Sequence, residues 1–206
     1  MSTVTAWQVI GGNMLQNFDK KKELYIFGDG ETAVEIKNWI SLETDSQVIL
    51  LSHEQFGEIN PGSQCMIGFQ GQYNRKKLLG KINIYDYEWP TFVHPSSNVE
   101  KTCSIGKGCV IYNFVHVGNN CSVGNFCYIA TGSQLSHGST IGNNCMLAPN
   151  VIIGGGTKLG DNIWVGLNSS ISDRIDICSD TSLAIASVVH KPISIKGKYF
   201  GNRKIK

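Results

Sequence analysis

The sequence predicts a parallel β-helix that follows a small α/β domain, and three observations lead to this prediction. An aliphatic residue stands at every sixth position from Val93 to Leu183, in sixteen of sixteen places. Residues 93–188 hold only 9 charged side chains in 96 positions, whereas the other 110 positions hold 25. Residues 23–90 alternate short apolar runs with amphipathic segments, which is typical of a small α/β unit.

The overall composition excludes several classes of protein. The chain has 206 residues and a formal net charge of +2, which gives no basic excess for a nucleic-acid partner. It lacks a leader pattern and any run of 18 apolar residues, so we expect a cytoplasmic protein without membrane insertion. Its seven cysteines have no metal-type spacing. We expect reduced thiols and no metal.

The first 90 residues divide into an extension and a domain. Residues 1–22, with Trp7, are expected to be a packing or solvated extension. Residues 23–90 contain three apolar runs and two helical patterns: Leu24 to Phe27, Thr32 to Ile40, Val48 to Leu51, Cys65 to Phe69 and Arg75 to Leu79. This order, with glycines after the first run, predicts a half-Rossmann unit, a truncated doubly wound sheet.

The turn Gly28-Asp29-Gly30 follows the first predicted strand. Backbone N–H groups at the start of the next helix are able to hold an anion such as phosphate. A simple tight turn uses the same residues, so the residues alone leave both interpretations open.

The period of six from residue 91 to residue 188 suits a β-helix whose coils have three flat sides of six residues each. A coil then has 18 residues, the region has about five coils, and residues i and i+18 are stacked neighbours. Position five of each hexapeptide is small or β-branched and includes five of the seven cysteines, which we expect to be buried. Position two is rich in glycine, which we expect to form tight corners.

These repeats resemble the left-handed β-helix of the hexapeptide acyltransferases. The resemblance implies a homotrimer of parallel prisms in which the acyl donor and the acceptor meet in the groove between subunits. Periodicity alone indicates only the coils.

The two-domain order resembles the bacterial nucleotide-amino-sugar N-acetyltransferases of the bacillosamine and sialic-acid O-acetyltransferase branch. The likeness covers residue 24 to about residue 193 and is carried by four segments: Gly28-Asp29-Gly30-Glu31-Thr32-Ala33, Cys65-Met66-Ile67-Gly68-Phe69, Asn74-Arg75-Lys76-Lys77 and Phe92-Val93-His94-Pro95-Ser96. The first departs at two positions from the Gly-x-Gly-Gly-His-x turn of the branch. The resemblance implies that this domain holds the nucleotide of a sugar substrate.

The residues that the resemblance assigns to the nucleotide sugar follow the first two strands. They are Gly28, Asp29, Gly30, Ser52 and His53. In the branch, acidic residues that contact a uracil occupy the positions of Ser52 and His53. The identity of the nucleobase that this chain binds is therefore left open.

The segment Leu135-Ser136-His137-Gly138-Ser139-Thr140-Ile141-Gly142 resembles the catalytic signature of that branch. The resemblance implies that His137 is the general base, and an unperturbed imidazole pKa near 6.5 suits this task. One coil above, Gly155 is implied as the N–H donor to the thioester carbonyl. Gly156 and Asp173 are expected near the acyl-CoA.

Two further points concern the histidines. Gly138 stands where the branch has an acidic or amide residue that orients the imidazole, so Asn119, one coil below His137, is the candidate orienting residue. The other four histidines, His53, His94, His116 and His190, are expected to be satisfied or solvated.

Residues 189–206 form a basic tail with six Lys or Arg and no acid. We expect this tail to be solvated. The alternative is that it meets the phosphates of coenzyme A.

The leading hypothesis is an N-acyltransferase that uses acyl-CoA, with acetyl-CoA as co-substrate, on the amino group of a nucleotide-linked deoxy-amino sugar for a surface glycan. O-acetylation of a sugar or a nonulosonic acid is one alternative, and a trimeric scaffold without turnover is another. A metal-dependent carbonic anhydrase is disfavoured because His116 and His137, 21 residues apart, are expected on different sides of the prism.

Overall fold

The computed structural model describes residues 15–52, 55 and 59–205. Trp7 and His53 lie outside this part of the chain. Within it, a small α/β domain packs on one face of a three-sided β-column.

The small domain is a parallel three-stranded sheet with two helices, as predicted. Its sheet has the order β3-β2-β4, and α1 buries Ala33, Ile36 and Ile40 against it. The first two strands have the predicted bounds, while the third begins and ends earlier than expected. The elements up to the column are β1 (Leu15–Gln16), β2 (Leu24–Phe27), α1 (Glu31–Glu43), β3 (Val48–Leu51), β4 (Gln64–Ile67) and α2 (Gln72–Leu79).

The column winds through three faces in turn. The first face contains β5 (Thr91–Val93), β8 (Val110–Ile111), β11 (Tyr128–Ile129), β14 (Met146–Leu147), β17 (Trp164–Val165), β20 (Thr181–Leu183), β22 (Gly197–Phe200) and β23 (Arg203–Ile205). The second contains β6 (Asn98–Val99), β9 (His116–Val117), β12 (Gln134–Leu135), β15 (Ile152–Ile153), β18 (Ser170–Ile171) and β21 (Val188–Val189). The third contains β7 (Ser104–Ile105), β10 (Ser122–Val123), β13 (Thr140–Ile141), β16 (Lys158–Leu159) and β19 (Asp176–Ile177).

The register of the column confirms the predicted coil of 18 residues. Tyr128 pairs with Met146, and Ile129 pairs with Leu147, in parallel strands. The aliphatic column lies inside the prism and forms one continuous apolar core. All seven cysteines are free, and the five of the repeat column are buried in or against that core.

The corners of the column are not formed by the glycines of position two, contrary to the prediction. A residue with positive φ recurs every six positions from 108 to 186, and nine of these fourteen positions hold glycine or asparagine, which tolerate that conformation. The glycines of position two do not supply this φ. At Gly142, for example, an added Cβ would lie 2.5 Å from the carbonyl oxygen of Gly160 in the next coil. Those glycines allow close stacking of successive coils.

The column is one turn longer than the expected five coils because part of the tail folds into it, although the basic side chains in the described part of the tail are exposed to solvent. Ile193 bridges to Ile177 on the third face, and β22 pairs in parallel with β20 on the first. Tyr199 is buried in the core. Because β23 then folds back antiparallel onto β22, residues 193–205 close the end of a column of about six turns.

The small domain covers the first face from one edge to the other. At one edge, the Trp39 ring of α1 stacks on Phe92 at 5.7 Å and touches the Tyr112 ring at 4.8 Å. At the other edge, the buried Arg75 of α2 donates to the carbonyl oxygen of Phe126 at 2.7 Å. These contacts fix the domain relative to the column.

The described part of the extension packs on the start of the column. Strand β1 pairs antiparallel with β5, with Leu15 opposite Phe92. Asp19 and Gln64 then exchange two hydrogen bonds of 2.7 and 2.9 Å, which tie the extension to β4. The extension therefore covers the open edge of the first face.

Candidate functional site

His137 lies at an exposed corner between the second and third faces of the column. The neighbouring coils hold its backbone: Gly156 donates its N–H to the His137 carbonyl at 3.0 Å, and Gly138 donates to the Asn119 carbonyl at 2.9 Å. Within the described residues, the imidazole makes no hydrogen bond. The ring therefore stands on a fixed backbone with its nitrogens open to a ligand.

The imidazole leans over Gly155 in the next coil. A Cβ added at Gly155 would lie 2.9 Å from both Cε1 and Nε2 of His137. This distance is too short for a real Cβ, so only glycine leaves the ring this position. The structure thus brings together the two residues that the sequence paired by their 18-residue offset.

The N–H of Gly155, which is expected to bind the thioester carbonyl, already has a hydrogen-bond acceptor in the protein. It donates to Oδ1 of Asp173 at 2.8 Å, while the Gly155 carbonyl accepts from the N–H of Arg174 at 2.9 Å. The amide is therefore occupied in this arrangement, and the expected role of Gly155 as donor to the thioester carbonyl stays a prediction. The N–H of Gly156 is also occupied, because it bonds the His137 carbonyl.

Asp173 has a structural partner that the sequence did not reveal. At another corner of the column, Asn143 Oδ1 accepts the N–H of Asn125 at 2.9 Å, and Asp161 Oδ1 accepts that of Asn143 at 2.6 Å. Asp173 makes the same contact with the residue 18 places before it. Asp173 therefore supports the backbone of Gly155, and its expected contact with acyl-CoA stays a prediction.

Among the described residues, Asn119 makes no hydrogen bond to the imidazole, and its orienting role stays a prediction. Its Oδ1 accepts a hydrogen bond from the Thr102 hydroxyl at 3.2 Å, which turns the amide toward the coil below and away from His137. Gly138 has a φ of 68°, one of the recurring positive-φ corners. Glycine takes this conformation without steric cost, which accounts for its presence beside the histidine.

The loop of Gly28, Asp29 and Gly30 lies at the carboxyl edge of the small sheet. Phe27 pairs with Leu51, so Ser52 emerges beside this loop. Gly30 caps the N-terminus of α1 without a side-chain hydrogen bond, and an added Cβ there would meet nothing within 4 Å. The structure therefore brings the predicted loop and Ser52 together, whereas His53 lies outside the described residues.

A cleft of about 590 Å³ opens beside this loop along α1. Its lining is acidic and carries one large aromatic ring: Asp29, Glu31, Val34, Glu35, Asn38 and Trp39. The sequence analysis missed Glu35 and Trp39. Their spacing of four along a helix was the available signal, because it places them on one face.

The remaining histidines have other surroundings. His94 packs edge-on against Trp39 at 4.8 Å, and burial lowers its pKa. His116 stacks beneath Gln134, three residues before His137, so the two histidines share the second face and its corner and are not on different sides. No group of three or more His, Cys, Asp or Glu within the described ranges is placed to hold a metal ion.

The cleft of the small domain and the corner that carries His137 lie on opposite sides of the column. The small domain covers the first face, and His137 occupies the corner between the other two faces. With six residues to a side, the column separates them by on the order of 15 Å of packed core. The small domain and His137 of the same chain therefore lie on opposite sides of the packed core.

Sequence comparison agrees with the repeat geometry. Residues 96–131 and 120–155 match the family described as "Bacterial transferase hexapeptide (six repeats)". The matched residues, 96–155, all lie within the column. No curated protein sequence matches the chain.

Solved structures show the same fold over most of the chain. A variant of GDP-perosamine N-acetyltransferase from Caulobacter crescentus, in complex with CoA and GDP-perosamine, has 18% identity and a TM-score of 0.71, covering 86% of this chain and 93% of its own. The acetyltransferase domain of PglB from Neisseria gonorrhoeae has 16% identity and a TM-score of 0.73, covering 89% and 98%. WeeI from Acinetobacter baumannii has 15% identity and a TM-score of 0.57, covering 89% and 99%. These matches support a left-handed β-helix joined to a small α/β domain.

Neither α1 nor α2, the helices within the described residues, combines the length and hydropathy that a bilayer crossing requires.

Proposed function

We propose that this protein is an acyltransferase that moves an acetyl group from acetyl-CoA to the amino group of a nucleotide-linked deoxy-amino sugar. One observation carries the proposal: an exposed imidazole, that of His137, leans over a glycine of the next coil. Solved structures with the same fold include an N-acetyltransferase bound to CoA and GDP-perosamine, which supports this choice of donor and acceptor.

The chemistry assigned to His137 is general base catalysis. As the acceptor nitrogen forms a bond to the thioester carbonyl carbon, His137 takes the proton that the nitrogen loses. The tetrahedral intermediate then collapses, the carbon–sulfur bond breaks, and the protonated His137 gives its proton to the departing sulfur, which leaves as CoA. The open nitrogens of the ring and its fixed backbone fit this role.

The negative oxygen of the intermediate needs a donor. Gly155 is the nearest backbone amide to the ring, but Asp173 accepts its N–H. The proposal therefore requires one of two arrangements. Either Asp173 releases the Gly155 amide when acetyl-CoA binds, or a group of the sugar substrate donates the hydrogen bond to the negative oxygen. Positioning of the two substrates contributes a further share of the rate.

The proposed site needs a second copy of the chain, because the column separates the small domain from His137 of the same chain. A homotrimer in which neighbouring columns share a groove brings the small domain of one copy to His137 of another. Exposed apolar side chains near the second face support self-association: Phe114 is 66% exposed, Ile152 44% and Leu167 43%.

The small domain has features that suit a nucleotide sugar. The first N–H groups of α1 are not capped by a side chain, so they are available to a phosphate. The acidic cleft beside them suits groups that donate hydrogen bonds, such as a nucleobase N–H, and the Trp39 ring offers a stacking surface. We therefore propose that Gly28, Gly30 and Ser52 contact the diphosphate and that the cleft receives the nucleoside.

The direct test is release of CoA thiol. The purified full chain is offered acetyl-CoA with UDP-, dTDP- and GDP-linked amino sugars, and each amino sugar is compared with its hydroxyl analogue. We expect release above background with at least one amino sugar and less with its hydroxyl analogue. Equal or greater release with the hydroxyl analogue indicates O-acetylation, and no release with any acceptor contradicts the proposal.

A trimeric scaffold without turnover is the second candidate, and the occupied N–H of Gly155 favours it. The scaffold predicts a trimer in sedimentation analysis together with no CoA release. Isothermal titration with CoA separates the two candidates further, because the enzyme binds CoA and the scaffold does not.

A further inference from the structure

The closing turn of the column carries a two-stranded hairpin with one exposed face. Strands β22 and β23 pair antiparallel, with Lys198 opposite Ile205 and Phe200 opposite Arg203. Because side chains alternate along a strand, these four project from the same outer side, while Tyr199 between them points into the core. Ile195 lies just before β22, and its carbonyl oxygen accepts a hydrogen bond from the Tyr199 hydroxyl at 2.6 Å. We call the four hairpin residues, together with Ile195, the end patch.

The end patch is both apolar and exposed. Ile195, Phe200 and Ile205 are 63%, 54% and 40% exposed. Large aliphatic and aromatic side chains at this exposure are unfavourable in water unless a partner covers them.

The segment of the chain that carries the end patch has charges of one sign, and Asp180, just before this segment, pairs with Lys76. Residues 181–205 contain five Lys or Arg and no Asp or Glu. Among the described residues, neither Lys198 nor Arg203 takes part in an ion pair. The cations are therefore free to pair with an anionic partner.

We propose that the end patch docks on the surface of an anionic phospholipid bilayer. Lys198 and Arg203 would pair with headgroup phosphates, while Phe200, Ile205 and Ile195 would enter the boundary between headgroups and acyl chains. A soluble phosphate compound such as CoA uses the cations but leaves the apolar side chains uncovered. A second copy of the hairpin would set like charges against each other. Of these three occupants, the bilayer surface alone uses both features.

The test is co-sedimentation of the full chain with vesicles of phosphatidylcholine alone and of phosphatidylcholine mixed with phosphatidylglycerol. We expect binding to the mixed vesicles that weakens as salt is raised, and little binding to phosphatidylcholine alone. The double variant Lys198→Ala with Arg203→Ala is expected to lower the partition coefficient by about thirtyfold. Phe200→Ser with Ile205→Ser is expected to lower it as well.

The matched control is Lys81→Ala with Lys101→Ala, which removes the same charge from exposed positions elsewhere. Circular dichroism of each variant checks that the fold is kept. The proposal is overturned if the mixed vesicles do not bind the chain, if the control loses as much binding as the Lys198 and Arg203 variant, or if the Phe200 and Ile205 variant binds unchanged. Full competition by free CoA would assign the cations to a soluble phosphate ligand and also overturn it.

Discussion

The imidazole of His137 rests on the backbone of Gly155, 18 residues later and one coil higher. A side chain at 155 would bring a carbon to 2.9 Å from Nε2, one of the two ring nitrogens that are open to the acceptor. The two residues form one functional unit: the glycine leaves space, and the histidine supplies the base.

Replacing His137 with alanine is expected to lower the rate of acyl transfer by about 10²–10⁴-fold, the usual contribution of a general base. Stability should change little because the side chain is exposed. The measurement is CoA release at saturating substrates, with His116→Ala as the matched control. An unchanged rate in His137→Ala would show that the reaction proceeds without this base.

Gly155→Ala is expected to lower the rate because the new methyl group displaces the imidazole. The backbone at Gly155 does not have positive φ, so we expect stability to change by no more than about 1 kcal/mol. A double-mutant cycle with His137→Ala gives the decisive reading. If the glycine acts by leaving space for the ring, Gly155→Ala has no further effect once the ring is gone.

Variants of Asp173 test whether the N–H of Gly155 acts in catalysis or only holds the site in shape. Asp173→Asn keeps an acceptor oxygen, as Asn143 does at the other corner, and is expected to retain both stability and rate. Asp173→Ala removes the acceptor and is expected to lower the melting temperature. CoA release then decides the role of the amide: a faster reaction in Asp173→Ala shows that the freed N–H serves as the oxyanion donor, and a slower one shows that Asp173 holds the site in shape.

Arg75 is a buried cation that joins the two domains. Its guanidinium donates to the carbonyls of Phe69 at 3.2 Å and Phe126 at 2.7 Å, and burial lowers its pKa to about 10. Arg75→Met leaves both carbonyls without this donor, so we expect the free energy of unfolding to fall by about 2–4 kcal/mol.

Lys76 supplies the matched control for Arg75 in urea unfolding experiments. It belongs to the same helix, but its 2.6 Å ion pair with Asp180 is exposed, and Lys76→Met is expected to cost less than about 1 kcal/mol. Equal losses in the two variants would mean that the buried guanidinium does not anchor the small domain.

The thiols offer a test of the column itself. All seven cysteines are free, and Cys178 is the only one that is not buried. We expect a thiol reagent such as Ellman's reagent to modify Cys178 in the native protein and all seven after unfolding in guanidinium chloride. Cys178→Ser should remove the fast native reaction. Rapid modification of Cys109, Cys127 or Cys145 in the native state would contradict the packed interior.

The period of six determined the column, because an aliphatic residue pointing inward from each side requires no information from elsewhere in the chain. The 18-residue offset between His137 and Gly155 followed from that period alone. Short apolar runs likewise located β2 and β3, since these strands are buried between neighbours in a parallel sheet.

The tertiary structure decided what each group does with its neighbours. Asp173 accepts a hydrogen bond from the Gly155 amide, and Asn119 accepts one from the Thr102 hydroxyl. A polar side chain at a corner is able to bond either to its own neighbours or to another coil, and residue spacing does not determine which of these contacts forms. The folded tail depends on Tyr199 completing the core, and the separation of the Gly28 loop from His137 depends on which face the small domain covers. Such contacts depend on the full packing of distant segments, so the repeat pattern could not predict them.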